Sequence, residues 1–142
     1  MGFIGLGNVG GKLAGSLLRN GVPLTVRDLD PSAGQRFLDG GAAWAESPRA
    51  LAASVDVVIT CLPSPAASAA VMEADDGVLA GLRPGSVWME MSTTDATEIR
   101  RLADRVAQIG GSAVDCPVSG GCHRADTGAR VGTARGHRWR RG

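Results

Sequence analysis

The sequence predicts an α/β protein built on a doubly wound, parallel β-sheet with helices on both faces. Short apolar runs alternate along the chain with segments of helical periodicity, which is the pattern of repeated β-α-β units. Residues 56–62 have a continuous apolar centre, typical of a parallel strand that is buried on both faces. A glycine-rich loop separates the first apolar run from the first helical segment. The 142 residues suffice for one domain of ordinary size.

The first third of the chain contains two predicted strands and three predicted helices. Residues 1–5 are a short apolar run that predicts the opening strand, and residues 8–20 carry apolar side chains at helical spacing. Residues 24–28 predict a second strand. Helices are predicted over 31–39 and 48–53, because each segment begins with a proline, which is favoured in the first turn of a helix.

The rest of the sheet is predicted from three further strands and two helices. The clearest strand, residues 56–62, is followed by an alanine-rich helix over 66–73. A Pro-Gly turn introduces the next strand at 86–91. The longest predicted helix is 95–109, which Asp95 can cap and which presents one apolar face. Residues 112–116 predict a last short strand.

The composition excludes several classes of protein. A hydrophobic fraction of 44% with 20% charged residues is typical of a globular chain rather than a disordered one. No apolar run reaches the roughly 18–20 residues that a membrane span requires. The start carries no charged leader before an apolar core, so we expect no signal peptide. The three cysteines show no paired spacing, which favours reduced thiols in a cytoplasmic protein.

Charge is distributed unevenly along the chain. Residues 1–122 hold nine basic and thirteen acidic residues, whereas residues 123–142 hold six arginines and one aspartate. We therefore predict a domain over residues 1–128 and an Arg-rich irregular tail over 129–142. Such a tail could attract nucleic acid electrostatically, but basic runs are more often solvated, so no specific nucleic-acid partner is expected.

The glycine-rich loop matches the G-x-G-x-x-G pattern of dinucleotide-binding sites, with a strand before it and a helix after it. The first glycine permits a tight turn, the second lets the backbone approach a pyrophosphate, and the third allows close packing of helix on sheet. Amides at the helix N-terminus then bind the diphosphate. This predicts a Rossmann-type domain whose cofactor loop comprises Gly5, Leu6, Gly7, Asn8, Val9 and Gly10.

An acidic residue follows the second strand at the position expected for contact with the adenosine ribose. Asp28 lies eighteen residues after Gly10. A carboxylate there accepts hydrogen bonds from the ribose hydroxyls and repels a 2′-phosphate. The sequence therefore predicts NAD as the cofactor, with NADP possible because Arg27 precedes the carboxylate. The alternative is a glycine-rich turn without a ligand, since glycine contributes 21 of the 142 residues.

Four sequence blocks follow one another within about residues 1–128. They are Gly-Phe-Ile-Gly-Leu-Gly-Asn-Val-Gly at 2–10, Cys-Leu-Pro at 61–63, Ser-Thr-Thr-Asp at 92–95 and Asp-Cys-Pro-Val-Ser-Gly-Gly at 115–121. In this order the blocks resemble the β-hydroxyacid dehydrogenase family, and in particular the NAD(P)-binding domain of 3-hydroxyisobutyrate dehydrogenase, which is related to that of 6-phosphogluconate dehydrogenase. The fourth block is closer to the hydroxyisobutyrate branch.

The resemblance implies a role for several further residues. Leu62 and Pro63 would lie against the cofactor, and Thr93 would approach its nicotinamide half. A small hydroxyacid substrate would bind the hydroxyl and amides of Ser119, Gly120 and Gly121. Each of these segments follows a predicted strand, so all are expected at the carboxyl edge of the sheet, where ligands of open α/β sheets bind.

The chain also departs from the family pattern. The catalytic lysine of the family lies on a helix after the dinucleotide domain, followed by an all-helical domain, and this sequence contains neither segment. Its one lysine is Lys12, beside the glycine loop, and Ala67 stands where the family has an asparagine. The sequence after Gly128 resembles the product of a shifted reading frame or of a truncated gene. We therefore expect no catalytic residue here, and self-association through the uncovered end of the sheet.

Two functions remain open from the sequence. The chain is either the NAD(P)-binding part of an oxidoreductase acting on the CH–OH group of a small 3-hydroxy acid, or a dinucleotide-binding fragment without catalysis. A metal site is not expected. Cys116, Cys122 and His123 lie close together in the sequence but lack paired ligand spacing and an evident fourth ligand.

Overall fold

A computed structural model describes residues 1–92, 95–116 and 137–138 of the chain. The strands are β1 (Gly2–Ile4), β2 (Thr25–Arg27), β3 (Ala43–Trp44), β4 (Val57–Thr60), β5 (Val87–Glu90), β6 (Ser112–Asp115) and β7 (His137–Arg138). The helices are α1 (Asn8–Arg19), α2 (Gln35–Asp39), α3 (Pro48–Ser54), α4 (Pro65–Glu73), α5 (Val78–Gly81) and α6 (Ala96–Gln108), and a 3-10 helix spans Pro31–Gly34.

The strands form one sheet in the order β3-β2-β1-β4-β5-β6-β7. Every pairing from β3 to β6 is parallel, and β7 pairs antiparallel with β6. The predicted doubly wound parallel α/β fold is therefore confirmed. Because the chain builds outward from β1 in one direction and then returns to add β4 on its other side, the loops after these two strands diverge and open a crevice.

Apolar side chains pack on both faces of the sheet. Phe3 and Ile59 pack in a cluster with α1 and α2. Their neighbours in the chain, Ile4 and Val58, pack on the other face in a cluster with α3, α4 and α6. Trp88 is fully buried in the second cluster, where its indole Nε1 donates to Thr60 Oγ1 at 2.9 Å. Alternation of neighbouring residues between two buried faces explains why these strands read as continuous apolar runs.

The structure adds short elements that the sequence did not predict. The strand β3 has two residues and α5 has four, which is too short for either to show a periodic pattern. In the predicted irregular tail, the described residues His137 and Arg138 form the two-residue strand β7, and the other residues of the tail lie outside the described part.

The predicted N-cap of the longest helix is present. The Asp95 side chain accepts a hydrogen bond from the Thr97 amide, 2.8 Å away, at the first turn of α6. The helix then buries Ile99, Leu102 and Val106 against the sheet. The cap fixes where the helix begins and so which of its faces meets the sheet.

Removing this cap tests its contribution to stability. We expect Asp95→Ala to lower the free energy of unfolding by about 1 kcal/mol, because the Thr97 amide loses its acceptor. Asp95→Asn keeps an acceptor oxygen and should stay near the parent in urea unfolding followed by circular dichroism. Equal losses in both variants would show that the negative charge, rather than the cap, is what matters.

Candidate functional site

A cleft of about 790 Å³ opens at the carboxyl edge of the sheet, between the loops that follow β1 and β4. Its walls come from the loops after β1, β2, β4 and β5 and from one face of α4. The lining residues are Ile4, Gly5, Gly7, Asn8, Val9, Gly10, Arg27, Asp28, Leu29, Pro48, Cys61, Leu62, Pro63, Ala67, Ala70, Val71, Ala74, Asp76, Met91 and Ser92. This is the place at which doubly wound folds bind ligands.

Two glycines of the loop are required by close backbone contacts. Gly5 has φ of +100°, a conformation that side chains disfavour, and a Cβ there would overlap the carbonyl oxygen of Cys61. A Cβ at Gly10 would overlap the carbonyl oxygen of Gly5. These contacts bring α1 close to β1 and β4, as the sequence pattern predicts for the first and third glycines.

Gly7 differs from its two neighbours in the motif because nothing lies within 4 Å of the position of an added Cβ. Its backbone lines the cleft, and it precedes α1 without any side-chain cap on the helix. Free amides at a helix N-terminus form a site for an anion, since the helix dipole adds to their hydrogen bonds. The open space at Gly7 is therefore part of the cleft rather than of the packing within the protein.

Asp28 lies at the end of β2 and holds the glycine loop. Its Oδ2 accepts the Leu6 amide at 2.7 Å, and its Oδ1 accepts the Asp30 amide at 2.9 Å. Sequence reasoning predicted Asp28 as a ribose ligand but missed this bond to the loop, which joins residues 22 positions apart. Each carboxylate oxygen has a second lone pair, so the group can still accept from a ligand hydroxyl.

Arg27 also borders the cleft, but its guanidinium is engaged on the β3 side. Its Nη1 donates to the carbonyl oxygen of Glu46 at 2.9 Å and to that of Ala45 at 3.4 Å. The guanidinium carbon lies 5.6 Å from the centroid of the Trp44 ring, within range of a cation–π contact. The cation next to Asp28 is therefore held by other groups.

The rim of the cleft carries apolar surface that sequence reasoning did not single out. Leu29, directly after Asp28, is 91% exposed. Small and apolar residues of α4, among them Ala67, Ala70 and Val71, also line the cleft. Together, Leu29 and these residues of α4 give the cleft a partly apolar lining, which is typical of ligand pockets.

The wall formed by the loops after β4 and β5 is fixed by hydrogen bonds. The Leu62 amide donates to Ser92 Oγ at 2.7 Å, and the Ser92 amide donates to Glu90 Oε1 at 2.8 Å. Burial, with a smaller contribution from the charge of Glu90, raises the pKa of the Cys61 thiol to about 11. Cys61 therefore stays protonated, and so weakly nucleophilic, near neutral pH.

Four of the predicted site residues lie outside the described part of the chain. These are Thr93, Ser119, Gly120 and Gly121, and their proposed contacts with nicotinamide and substrate stay predictions. Self-association through the end of the sheet also stays a prediction. The structure brings the other predicted residues together around one cleft, namely Gly5, Gly7, Asn8, Val9, Gly10, Asp28, Leu62 and Pro63, with Leu6 held beside it by Asp28.

The residues that the structure describes show neither a cluster of metal ligands nor a membrane-spanning helix. Among them, no group of three or more histidine, cysteine, aspartate or glutamate side chains could hold a metal ion. None of the described helices has both the length and the apolar character needed to cross a membrane.

The doubly wound sheet, the glycine loop and the acid after β2 together define a dinucleotide-binding domain. A family model described as the NAD binding domain of 6-phosphogluconate dehydrogenase matches residues 1–137. The chain belongs to this family, so the predicted resemblance and the nicotinamide dinucleotide as cofactor class are confirmed.

Named relatives include both dehydrogenases and a nuclear protein. The chain is 38% identical over 128 residues to mitochondrial 3-hydroxyisobutyrate dehydrogenase of Rattus norvegicus, a match of 90% of this chain and 38% of the relative. It is 32% identical over 138 residues to the cytokine-like nuclear factor N-PAC of Homo sapiens, a match of 97% of this chain and 25% of the relative. The chain thus spans well under half the length of these relatives.

Solved structures of dehydrogenase type are also similar to this chain. A 3-hydroxyisobutyrate dehydrogenase from Salmonella typhimurium superposes with a TM-score of 0.82 at 34% identity, covering 89% of this chain and 44% of the other. A structure described as Psf3 in complex with NADP+ and 2-OPP gives a TM-score of 0.85 at 32% identity, covering 89% of this chain and 45% of the other. Both similarities extend over nearly all of this chain.

The contrast between two glycines of the loop can be tested by mutation. Gly7→Val should leave the free energy of unfolding within about 1 kcal/mol of the parent, because the new side chain enters open space. Gly10→Val should lower it by about 3 kcal/mol or more, because the new side chain overlaps the Gly5 carbonyl.

Urea unfolding measures the stabilities, and calorimetry with NAD measures binding by the same two proteins. Gly7→Val should remain folded and lose NAD affinity, since valine occupies the place of the diphosphate. A folded Gly7→Val protein with parental NAD affinity would show that this loop is only a turn.

Proposed function

We propose that the chain binds NAD in the cleft and forms the nucleotide-binding part of an oxidoreductase acting on the CH–OH group of a small 3-hydroxy acid. The observation that carries the proposal is that Gly7 and Asp28 both line the cleft and belong to one hydrogen-bonded unit. Gly7 offers open space before the N-terminus of α1, and Asp28 holds the same loop through the Leu6 amide. The surfaces for the diphosphate and for the adenosine ribose are thereby fixed relative to each other.

Each part of the cofactor has a matching surface in the cleft. The diphosphate would bind the amides of Asn8, Val9 and Gly10 at the start of α1. The adenosine ribose would lie at Asp28, and the apolar surface of Leu29 would cover the adenine ring. The nicotinamide end would then reach the wall formed after β4 and β5, which includes Leu62, Pro63 and Ser92.

Two features favour NAD over NADP. The negative charge of Asp28 would repel a phosphate on the ribose 2′-hydroxyl. Arg27, the cation that lines the described cleft, already donates to backbone carbonyls and lies beside Trp44, so it does not compensate for that charge.

The bound nicotinamide supplies the redox chemistry, since its ring accepts or delivers a hydride. The described residues of the chain orient the cofactor. The resemblance assigns binding of the substrate carboxylate to Ser119, Gly120 and Gly121, whose hydroxyl and amides suit an anion. The substrate class also rests on relatives named as 3-hydroxyisobutyrate dehydrogenases.

A second candidate function is dinucleotide binding without turnover. Two observations favour it. A relative named as a nuclear factor rather than a dehydrogenase matches 97% of the chain. In addition, the titratable groups that line the described cleft are Asp28, Asp76, Arg27 and Cys61, and the thiol of Cys61, with a pKa of about 11, is a poor base near neutral pH.

The cytoplasm remains our proposal for the location of the protein. Cys61 and Cys116 are free thiols in the structure, which suits a reducing compartment. The rat dehydrogenase to which the chain is similar is named as mitochondrial.

The preference for NAD tests the role of Asp28. In calorimetry the parent should bind NAD more tightly than NADP, and Asp28→Asn should reduce the ratio of the two affinities by about tenfold, or 1.4 kcal/mol. Asparagine removes the negative charge and keeps one acceptor oxygen, which can take the Leu6 amide that holds the loop, whereas the Asp30 amide loses its acceptor.

Asp76→Asn is the matched control, since Asp76 lines the same cleft and should not change the ratio. Equal affinities for NAD and NADP in the parent would overturn the assignment of Asp28. A parent that binds neither cofactor would overturn the proposed function.

The two candidate functions differ in turnover. We expect the purified 142-residue chain to show no dehydrogenase activity with NAD and a panel of small hydroxyacids, even where NAD binding is measurable. A positioned proton-transfer group typically supplies about 10²–10⁴-fold in rate, and the described cleft has no histidine or lysine side chain in its lining to act as one. Production of NADH, followed by absorbance in enzyme freed of contaminating dehydrogenases, would place a catalytic base within this chain.

A further inference from the structure

We propose that Glu90 is a positioning residue for the cofactor cleft, which it shapes through Ser92 and the backbone amide of Leu62. The inference rests on the proposed function, because the wall in question would meet the nicotinamide end of NAD. Glu90 does not line the cleft itself, so any effect on the cofactor passes through its neighbours.

Glu90 occupies an unusual place for an acid. It is the last residue of β5, it is only 1% exposed, and its neighbours across the sheet are Thr60 on β4 and Asp115 on β6. Burying a carboxyl group without hydrogen bonds costs free energy, so its position implies partners that compensate. The Ser92 amide is such a partner, and it lies in the segment that leads from β5 to the cleft.

The connection from Glu90 to the cleft consists of two short hydrogen bonds. Glu90 Oε1 accepts the Ser92 amide at 2.8 Å, which fixes the chain as it leaves β5. Ser92 Oγ, in turn, accepts the Leu62 amide at 2.7 Å. Leu62 and Ser92 both line the cleft, so the two bonds set the separation of the loops after β4 and β5.

The second oxygen of the carboxyl indicates how the group is protonated. Glu90 Oε2 and Ser68 Oγ, from α4, are both buried without a hydrogen-bond partner among the described residues. Burial raises the pKa of Glu90, and the hydrogen bond from the Ser92 amide and the nearby hydroxyls of Ser92, Ser68 and Thr60 oppose the rise. A proton on Oε2 would give the neighbouring Ser68 hydroxyl a donor while leaving Oε1 free for the Ser92 amide.

The neutral acid has a close chemical equivalent in glutamine. In Glu90→Gln the amide oxygen can accept from Ser92 and the amide nitrogen can donate to Ser68, so both bonds are reproduced. Glu90→Leu introduces an apolar side chain of similar size, which leaves the Ser92 amide without an acceptor. Ser92→Ala keeps Glu90 and removes only the acceptor for Leu62.

Calorimetry with NAD at pH 7 on the 142-residue chain compares these variants. We expect Glu90→Gln to bind within twofold of the parent, and Glu90→Leu and Ser92→Ala to bind at least tenfold more weakly. Ser54→Ala is the matched control, because it removes a serine hydroxyl bond to Leu51 on α3 and should leave NAD affinity unchanged. Parental affinity in folded Glu90→Leu or Ser92→Ala would overturn the proposal, as would equal weakening in Glu90→Gln and Glu90→Leu.

Stability as a function of pH distinguishes the ionisable carboxyl of Glu90 from the uncharged glutamine of nearly the same shape. Since the folded state favours neutral Glu90, the parent should lose part of its unfolding free energy as pH rises from 4.5 towards the raised pKa. Glu90→Gln should lack this loss. Cys61 and Asp115, the titratable groups on the neighbouring strands, are unchanged between the two proteins, so the difference reports Glu90. Identical pH profiles would count against a neutral Glu90.

Hydrogen exchange at the Leu62 amide tests its bond to Ser92 Oγ in the absence of cofactor. Protection in the parent and in Glu90→Gln, with exchange at least tenfold faster in Ser92→Ala, supports the connection. Unchanged protection in Ser92→Ala overturns it, even if Glu90→Leu fails to fold. If the parent binds no NAD, the proposed function fails, whereas this measurement still decides whether Glu90 and Ser92 hold the wall.

Discussion

The organisation of the molecule depends on the pairing of β1 with two strands at once. Its three residues align with Thr25–Arg27 on one side and with Val58, Ile59 and Thr60 on the other, so the loops after β1 and β4 leave the sheet side by side. The close contacts of the glycine loop follow from this arrangement, because Gly5 lies against the chain at Cys61 and Gly10, on α1, lies against the carbonyl of Gly5. A larger residue at either position would push the helix away from the sheet and displace the loop that lines the cleft. The crevice is therefore a result of strand order and of two missing side chains.

Two acidic residues at strand ends play matching structural roles on either side of this crevice. Asp28, after β2, accepts the amide of Leu6 in the glycine loop, and Glu90, at the end of β5, accepts the amide of Ser92. In both cases a side chain binds the backbone of a segment that lines the cleft, where regular sheet pairing has ended and amides need other acceptors. The difference is exposure. Asp28 faces the cleft and remains available to a ligand, whereas Glu90 is buried and acts only on the protein.

Periodicity in the sequence predicts most of the fold, since the segment 8–20 becomes α1 (Asn8–Arg19) and the segment 95–109 becomes α6 (Ala96–Gln108). These elements are long enough for burial on one face to leave a pattern, and β3 is not. In the site, the glycines and Asp28 could be predicted because each is required by the local backbone or by the ligand. The bond from Asp28 to Leu6 and the bonds through Ser92 could not, because they join residues 22 and 30 positions apart that only the sheet brings together. Leu29 was missed because one apolar residue after a strand has no significance until its exposure is known.

That exposure has a thermodynamic consequence for ligand binding. Leu29 is 91% exposed, beside a wall of α4 that is largely alanine and valine. An aromatic base that covers this surface removes apolar area from water, and such burial lowers the heat capacity of the complex relative to the free partners. The enthalpy of association must then become more favourable as temperature rises, while the entropy becomes less so. The adenine end of the cleft would contribute affinity largely through water release, and the diphosphate end through hydrogen bonds and charge, so the two ends of one ligand would respond differently to temperature and to salt.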